Sequence, residues 1–165
     1  IVGNVSAIPA QIISLELDGE NGLSGNIETM HANFERFAVF GVNSISGNIG
    51  SIEANNLIEL SIGGLNTVAD FSEPASWAPA NLRILEFSFV GDAGLGFDSD
   101  ELDALLIYLN SLLPVVSDGV TPASISLARS EDGNVTAASS NAIGELRQKG
   151  FNVLVNGENT SVEAL

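Results

Sequence analysis

The sequence repeats itself at a step of just over twenty residues, and a repeat of that length limits the fold before any local signal is read. Aligned on an apolar triplet, four copies read L-x-x-L-x-L-x-x-x-N. They are Ile12, Leu15, Leu17 and Asn21; Phe34, Phe37, Val39 and Asn43; Leu57, Leu60, Ile62 and Asn66; then Leu82, Leu85 and Phe87, with Gly91 in the last place. The first positions stand 22, 23 and 25 residues apart. An amide precedes each triplet (Gln11, Asn33, Asn56, Asn81), and a Gly-Asn-apolar unit recurs at Gly3-Asn4-Val5, Gly25-Asn26-Ile27 and Gly47-Asn48-Ile49.

The alternating L-x-L pair sends two side chains to one side, as a short strand requires. Successive copies then lie side by side as a parallel sheet. Asn21, Asn43 and Asn66 fall where the chain leaves the strand, forming a structural ladder whose amides satisfy backbone groups that would otherwise be buried unpaired. The Gly/Asn stretches, such as 41–49, read as corners of the coils. Leu23, Ile45 and Val68 re-enter the core after them, and the pairs Val5/Ile8, Ile27/Met30 and Ile49/Ile52 close it from behind. A single coil cannot bury its face alone, so the expected architecture is a stacked α/β solenoid.

The spacing resembles a leucine-rich repeat, with Asn at the tenth position of the unit instead of the ninth. The Gly/Asn-rich style, with "HANF" or "PANL" before the strand, resembles a branch of that family found among bacterial surface proteins and bacteriophage virion proteins. The resemblance covers essentially the whole chain. It implies short parallel strands, a mostly irregular convex side and a helical C-terminal cap, and it implies an extracellular or virion-surface location.

After residue 96 the pattern changes. The spacing predicts an amphipathic helix through Leu102, Leu105, Leu106, Leu109, Leu112 and Leu113, capped by Asp98 or Ser99, with Asp100, Glu101 and Asp103 in its first turn and Pro114 and Gly119 beyond its end. A strand follows at 123–128 with Ile125 and Leu127 inward. A second helix is capped by Ser139 or Ser140 and buries Ala142, Ile143 and Leu146, with Gly150 at its C-terminus. The stretch 151–157 supplies a last strand. The repeats therefore occupy 1–96 and a helix–strand–helix–strand cap occupies 97–165, in one continuous solenoid. The first coil has no corresponding cap and is expected to pack on another domain, subunit or particle. The opening "IVGNV", without Met or a signal peptide, suggests a processed chain or a piece of a longer one.

Composition narrows the function. Five basic against 21 acidic residues give a net charge of −16, and Lys149 is the sole lysine. Nucleic-acid backbones and anionic membranes need clustered cations, so neither is an expected partner. The longest apolar runs are too short and polar for membrane insertion. With no cysteine, disulfides, zinc–thiolate sites and thiol nucleophiles are excluded.

No catalytic constellation is apparent, and no cofactor is expected. His31, the only histidine, reads as an exposed loop residue without nucleophilic partners. The Gly-rich segments lack the Lys and the strand–helix setting of a phosphate loop. Asp98, Asp100 and Asp103 lack the Gly and closing Glu of an EF-hand, and Asp18, Glu20 and Asp132 read as turn residues. Three sequons, at Asn4, Asn134 and Asn159, matter only in a eukaryotic secretory pathway.

The remaining candidate is the outward-facing side of the strands, the concave face: Ile13, Glu16, Asp18, Arg36, Phe40, Ile58, Glu59, Arg83, Ile84 and Glu86. Carboxylates, two of the five cations and exposed apolar groups together suit protein or glycan contact, or a neighbouring subunit in a larger assembly. The expected function is a non-enzymatic structural or adhesive module; the resemblance implies a cell-adhesion protein of a bacterial surface or a bacteriophage virion component. An intracellular scaffold for a basic protein is the alternative, and a hydrolase on a solenoid a third.

Overall fold

The computed structural model describes residues 2–20, 22–64, 68–89, 96–116, 123–128, 134–155 and 158–159. Strands alternate between two sheets along the chain. Val2–Asn4 (β1), Gly22–Asn26 (β3), Ser44–Asn48 (β5) and Val68–Asp70 (β7) form one sheet, in that order. Ser14–Leu17 (β2), Arg36–Val39 (β4), Glu59–Gly64 (β6), Ile84–Phe89 (β8), Ser124–Leu127 (β9), Asn152–Val155 (β10) and Glu158–Asn159 (β11) form a seven-stranded sheet, again in chain order. All pairings are parallel except β10–β11.

The register of the larger sheet follows the repeat. Ser14 pairs with Arg36, Arg36 with Glu59 and Glu59 with Ile84, so the triplets align strand upon strand at the steps read from the sequence. The next pairings, Ile84 with Ser124 and Ser124 with Asn152, span the two helices, Ser99–Leu112 (α1) and Ala137–Gln148 (α2), which pack on each other.

The side opposite the larger sheet differs from expectation. It is not mostly irregular: β3 and β5 are built from the Gly/Asn stretches expected to be corners, and with β1 and β7 they make the second parallel sheet. Three-residue 3-10 turns, Val5–Ala7, Ile27–Thr29 and Ile49–Ser51, follow β1, β3 and β5. Serine, glycine and asparagine are poor strand formers, but parallel pairing with the neighbouring copy supplies partners for their backbone groups, and context overrides propensity. Val68 does not re-enter the core and stands exposed, whereas Leu23 and Ile45 are buried.

Between the sheets Phe34, Phe37, Leu57, Leu60, Ile62, Leu82, Leu85 and Phe87 are buried with Ile27, Met30, Ile49 and Ile52 from behind. Leu102, Leu105, Leu106 and Leu109 of α1 and Ile143 and Leu146 of α2 join the same core. Trp77, fully buried, donates from Nε1 to the Ala54 carbonyl at 3.3 Å, and its own carbonyl accepts from Tyr108 Oη at 2.7 Å, so α1 is tied to the loop before β8.

Asp98 caps α1 in a reciprocal capping box with Glu101. The cap of α2 is Thr136, not Ser139 or Ser140. Ser139 lies inside the helix, buried, and its hydroxyl is committed to Asp103 of α1. Gly91, Gly119 and Asp132 lie outside the described residues.

Candidate functional site

On a pleated strand alternate residues face opposite sides, so the L-x-L pair that enters the core leaves its neighbours on the outer face. Parallel pairing sets those neighbours in rows about 4.8 Å apart. One row runs Ser14, Arg36, Glu59, Ile84, Ser124, Asn152, and the next Glu16, Ala38, Ser61, Glu86, Ser126, Leu154. The structure therefore brings Glu16, Arg36, Glu59, Ile84 and Glu86 onto one surface. Ile13, Ile58 and Arg83 enter their strands from the loops at one margin, and Asp18 and Phe40 leave at the other.

Arg36 Nη1 lies 3.3 Å from Glu59 Oε2, and Ser61 Oγ donates to Glu59 Oε1 at 3.4 Å. Glu59 is thus held from two sides. Glu16 and Asp18 are exposed, and Asp18 closes its turn by accepting from the Gly19 N–H at 2.7 Å. Arg83 donates to the Leu82 carbonyl at 3.3 Å. Ile13 is 50% exposed, and Ile58, Ile84 and Phe40 are half-buried. The centre of the face is low, because Ala38 and Ser61 are buried beneath longer neighbours. Phe40 lies against Gly63, where a Cβ would approach its ring to 3.0 Å.

Of the expected amide ladder, Asn43 is described: it is 2% exposed and donates from Nδ2 to the Gly63 carbonyl in the next copy at 2.7 Å. Asn21 and Asn66 lie outside the described residues. A second ladder runs along the smaller sheet. Asn4, Asn26 and Asn48 end their strands and accept from the N–H groups of Ser6, Glu28 and Gly50 at 3.0, 2.8 and 2.8 Å, capping the three 3-10 turns. Gly47 lies under the amide of Asn26, which a Cβ would strike. The recurring Gly-Asn-apolar unit signals this arrangement in the sequence.

His31 is not the exposed residue expected. Its ring stacks on Phe34 at 4.1 Å, and both nitrogens are buried without a hydrogen-bond partner. The ring thus serves as an aromatic plate over the core.

Sequence reasoning also missed the role of Asp103. Its carboxylate, 8% exposed, accepts from Thr136 Oγ1, the Thr136 N–H and Ser139 Oγ, and so holds the first turn of α2 against α1. Its position beside the apolar stripe, between Leu102 and Leu106, is the signal available for that contact.

Burial pushes the Glu101 carboxyl above the ordinary carboxylate range. The negative charges of Asp98 and Asp70 add to this, and the Asp98 N–H opposes it. Burial, with Glu73 nearby, likewise raises the Tyr108 phenol. Among the described residues no three His, Asp or Glu side chains are grouped to hold a metal ion. No helix of the described residues is long and apolar enough to cross a membrane. No family model, curated protein or solved structure matches this chain.

Proposed function

We propose that the protein is a leucine-rich-repeat solenoid acting as a non-enzymatic binding module, whose ligand contacts the outer face of the seven-stranded sheet. The solenoid reading rests on strands that pair in parallel at the 22-, 23- and 25-residue steps of the repeat. The observation that carries the binding reading is the composition of that face. A half-buried Ile84 within the face, and a 50%-exposed Ile13 and half-buried Ile58 and Phe40 at its margins, stand among charged groups on a regular support. Ordered apolar groups on a rigid scaffold cost little to desolvate and little entropy to immobilise, which suits contact with a protein or glycan. The Gly/Asn-rich repeat style favours a place on a bacterial surface or a bacteriophage virion.

The face carries Glu16, Asp18, Glu59 and Glu86 against Arg36 and Arg83, and the whole chain is strongly acidic. This balance favours, as a second reading, a basic protein partner.

Binding of the wild-type chain and the Arg36→Ala/Phe40→Ala variant would be compared on a glycan array and on intact bacterial cells, with thermal melts alongside. Binding that is lost in the variant at an unchanged melting temperature supports this face. Undiminished variant binding places the contact elsewhere, and a wild-type chain that binds nothing argues against an adhesive role.

A further inference from the structure

Lys149 is the sole lysine of the chain, and the fold places its amine against an asparagine whose side-chain amide meets a carboxylate. The setting follows from a proline. At the end of α1 the Asn110 carbonyl would accept from the N–H of residue 114, but Pro114 has none, so that carbonyl is left over. Lys149, at the C-terminus of α2, fills the place: its Nζ donates to the Asn110 carbonyl. The lysine backbone is fixed as well. Its N–H donates to the Glu145 carbonyl at 2.9 Å, and its carbonyl accepts from the Val116 N–H at 2.7 Å. Segment 110–116 therefore holds Lys149 by its amine at one end and by its backbone at the other.

The Asn110 side chain is engaged separately. Its Nδ2 donates to Glu145 Oε2 at 2.6 Å, a short, charge-assisted bond. Its Oδ1 is buried without a hydrogen-bond partner. Glu145 stands four residues before Lys149, one turn away on the same side of α2. The missing N–H of Pro114 accounts for an amine on the Asn110 backbone carbonyl. It does not account for a carboxylate on the amide nitrogen or for an amide oxygen shut off from water beside it.

We propose that Asn110, Glu145 and Lys149 form a self-modifying site that joins α1 to α2 by an isopeptide bond between Lys149 Nζ and Asn110 Cγ. Glu145 takes one proton from the ammonium group, and the freed lone pair of Nζ attacks Cγ. The new C–N bond forms as the carbonyl π pair moves onto Oδ1. That pair then returns and the Cγ–Nδ2 bond breaks. Nδ2 takes a second proton from the attacking nitrogen and leaves as ammonia, which recovers the first proton from Glu145 and departs as ammonium. Nothing is oxidised or reduced, and Glu145 is restored. Holding the amine on the very residue it attacks supplies the proximity that the reaction needs. Shielding of Oδ1 keeps water from competing for Cγ, while the exposed Glu145 opens a way out for the ammonia. The site lies on the helices and is independent of the outer face of the sheet.

Intact-mass spectrometry of the purified chain over prolonged incubation tests the site, with Lys149→Arg and Glu145→Gln variants alongside. The wild type should converge on a mass lower by one ammonia than its sequence requires. Its tryptic digest should contain a branched peptide joining Asn110 to Lys149, with no cut after Lys149. Lys149→Arg should keep its full mass, and Glu145→Gln should react on the order of a hundredfold more slowly or less. Ring closure at an Asn–Gly step such as Asn21-Gly22 also sheds ammonia, so a loss that persists in Lys149→Arg, with no branched peptide in the wild type, overturns the inference. A wild-type chain that stays at its full sequence mass overturns it, as does a Glu145→Gln chain that reacts as fast as the wild type. The branched peptide is read from the wild type alone, so a variant that fails to fold leaves the outcome decided.

Discussion

At the scale of single residues, stability is concentrated where one copy of the repeat touches the next. Asn43→Ala removes the bond to the Gly63 carbonyl and leaves that acceptor unpaired in the core, at a cost of about 1–3 kcal/mol in urea unfolding. Two glycines should respond in opposite directions. Gly41 has φ +99 and faces the Gly19 carbonyl, which a Cβ would overlap, so Gly41→Ala is strongly destabilising. Gly144 lies inside α2, where a Cβ would meet nothing within 4 Å beyond its chain neighbours and its own helix's backbone, and Gly144→Ala should stabilise by about 0.5–1 kcal/mol. Thermal and urea melts of the pair test both signs. The position of Asn43 was legible because an amide at a fixed offset from an apolar triplet has a backbone to satisfy. The cap role of Asn4, Asn26 and Asn48 was harder to read. Cap signals are sought before helices of several turns, and here the capped element is three residues long. The stacking of His31 on Phe34 depends on how one turn is laid over the core, which no local pattern encodes.

At the scale of elements, the helices hold the clearest electrostatic consequences. Folded Glu101 keeps its proton to a higher pH than in the unfolded chain, so across that interval the native state binds more protons. Its contribution therefore falls as pH rises from the ordinary carboxylate range through the raised value. Glu101→Gln, which retains an acceptor for the Asp98 N–H, should exceed the wild type in melting temperature near neutrality, and the gap should close on acidification. Asp103→Ala strips the acceptor from Thr136 and Ser139 and should cost about 2–3 kcal/mol, with α2 amides losing protection from hydrogen exchange first. Both helices were legible from their i, i+3, i+4 apolar spacing, and the strands of the larger sheet from the triplets. The cap of α2 was misplaced because a serine engaged by a distant aspartate looks, in sequence, like one available to its own helix. The second sheet was hidden because β3 and β5 contain few β-branched or aromatic residues. Their pairing is dictated by the neighbouring copy, so the signal lies in the repeat and not in the segment. The alternation set by the triplets made the shared surface of Glu16, Arg36, Glu59, Ile84 and Glu86 legible, whereas Ile13, Ile58 and Arg83 stand at its margin; the Arg36–Glu59–Ser61 contact depends on register across three strands and was not legible.

At the scale of the whole molecule, a net charge of −16 in a 17.1 kDa chain repels itself, and screening should raise the melting temperature with added salt even though it weakens the Arg36–Glu59 pair. A melting temperature that falls with salt would show attractive pairs outweighing repulsion. The order of strands has a mechanical consequence as well. Among the described residues, β1 to β7 pair only with strands of the adjacent copies. Tension applied at residue 2 meets these ladders in series, as in a zipper opened from one end, and not in parallel, as in a hairpin sheared along its length. Each copy that peels away frees about 22 residues, so a force–extension trace should show a short run of low, evenly spaced rips of roughly 70–80 Å. A taller event should follow when α1, α2 and the strands between them give way together. Read from the other end, the same trace should begin with the tall event, making the direction of pull a measure of how the load is shared.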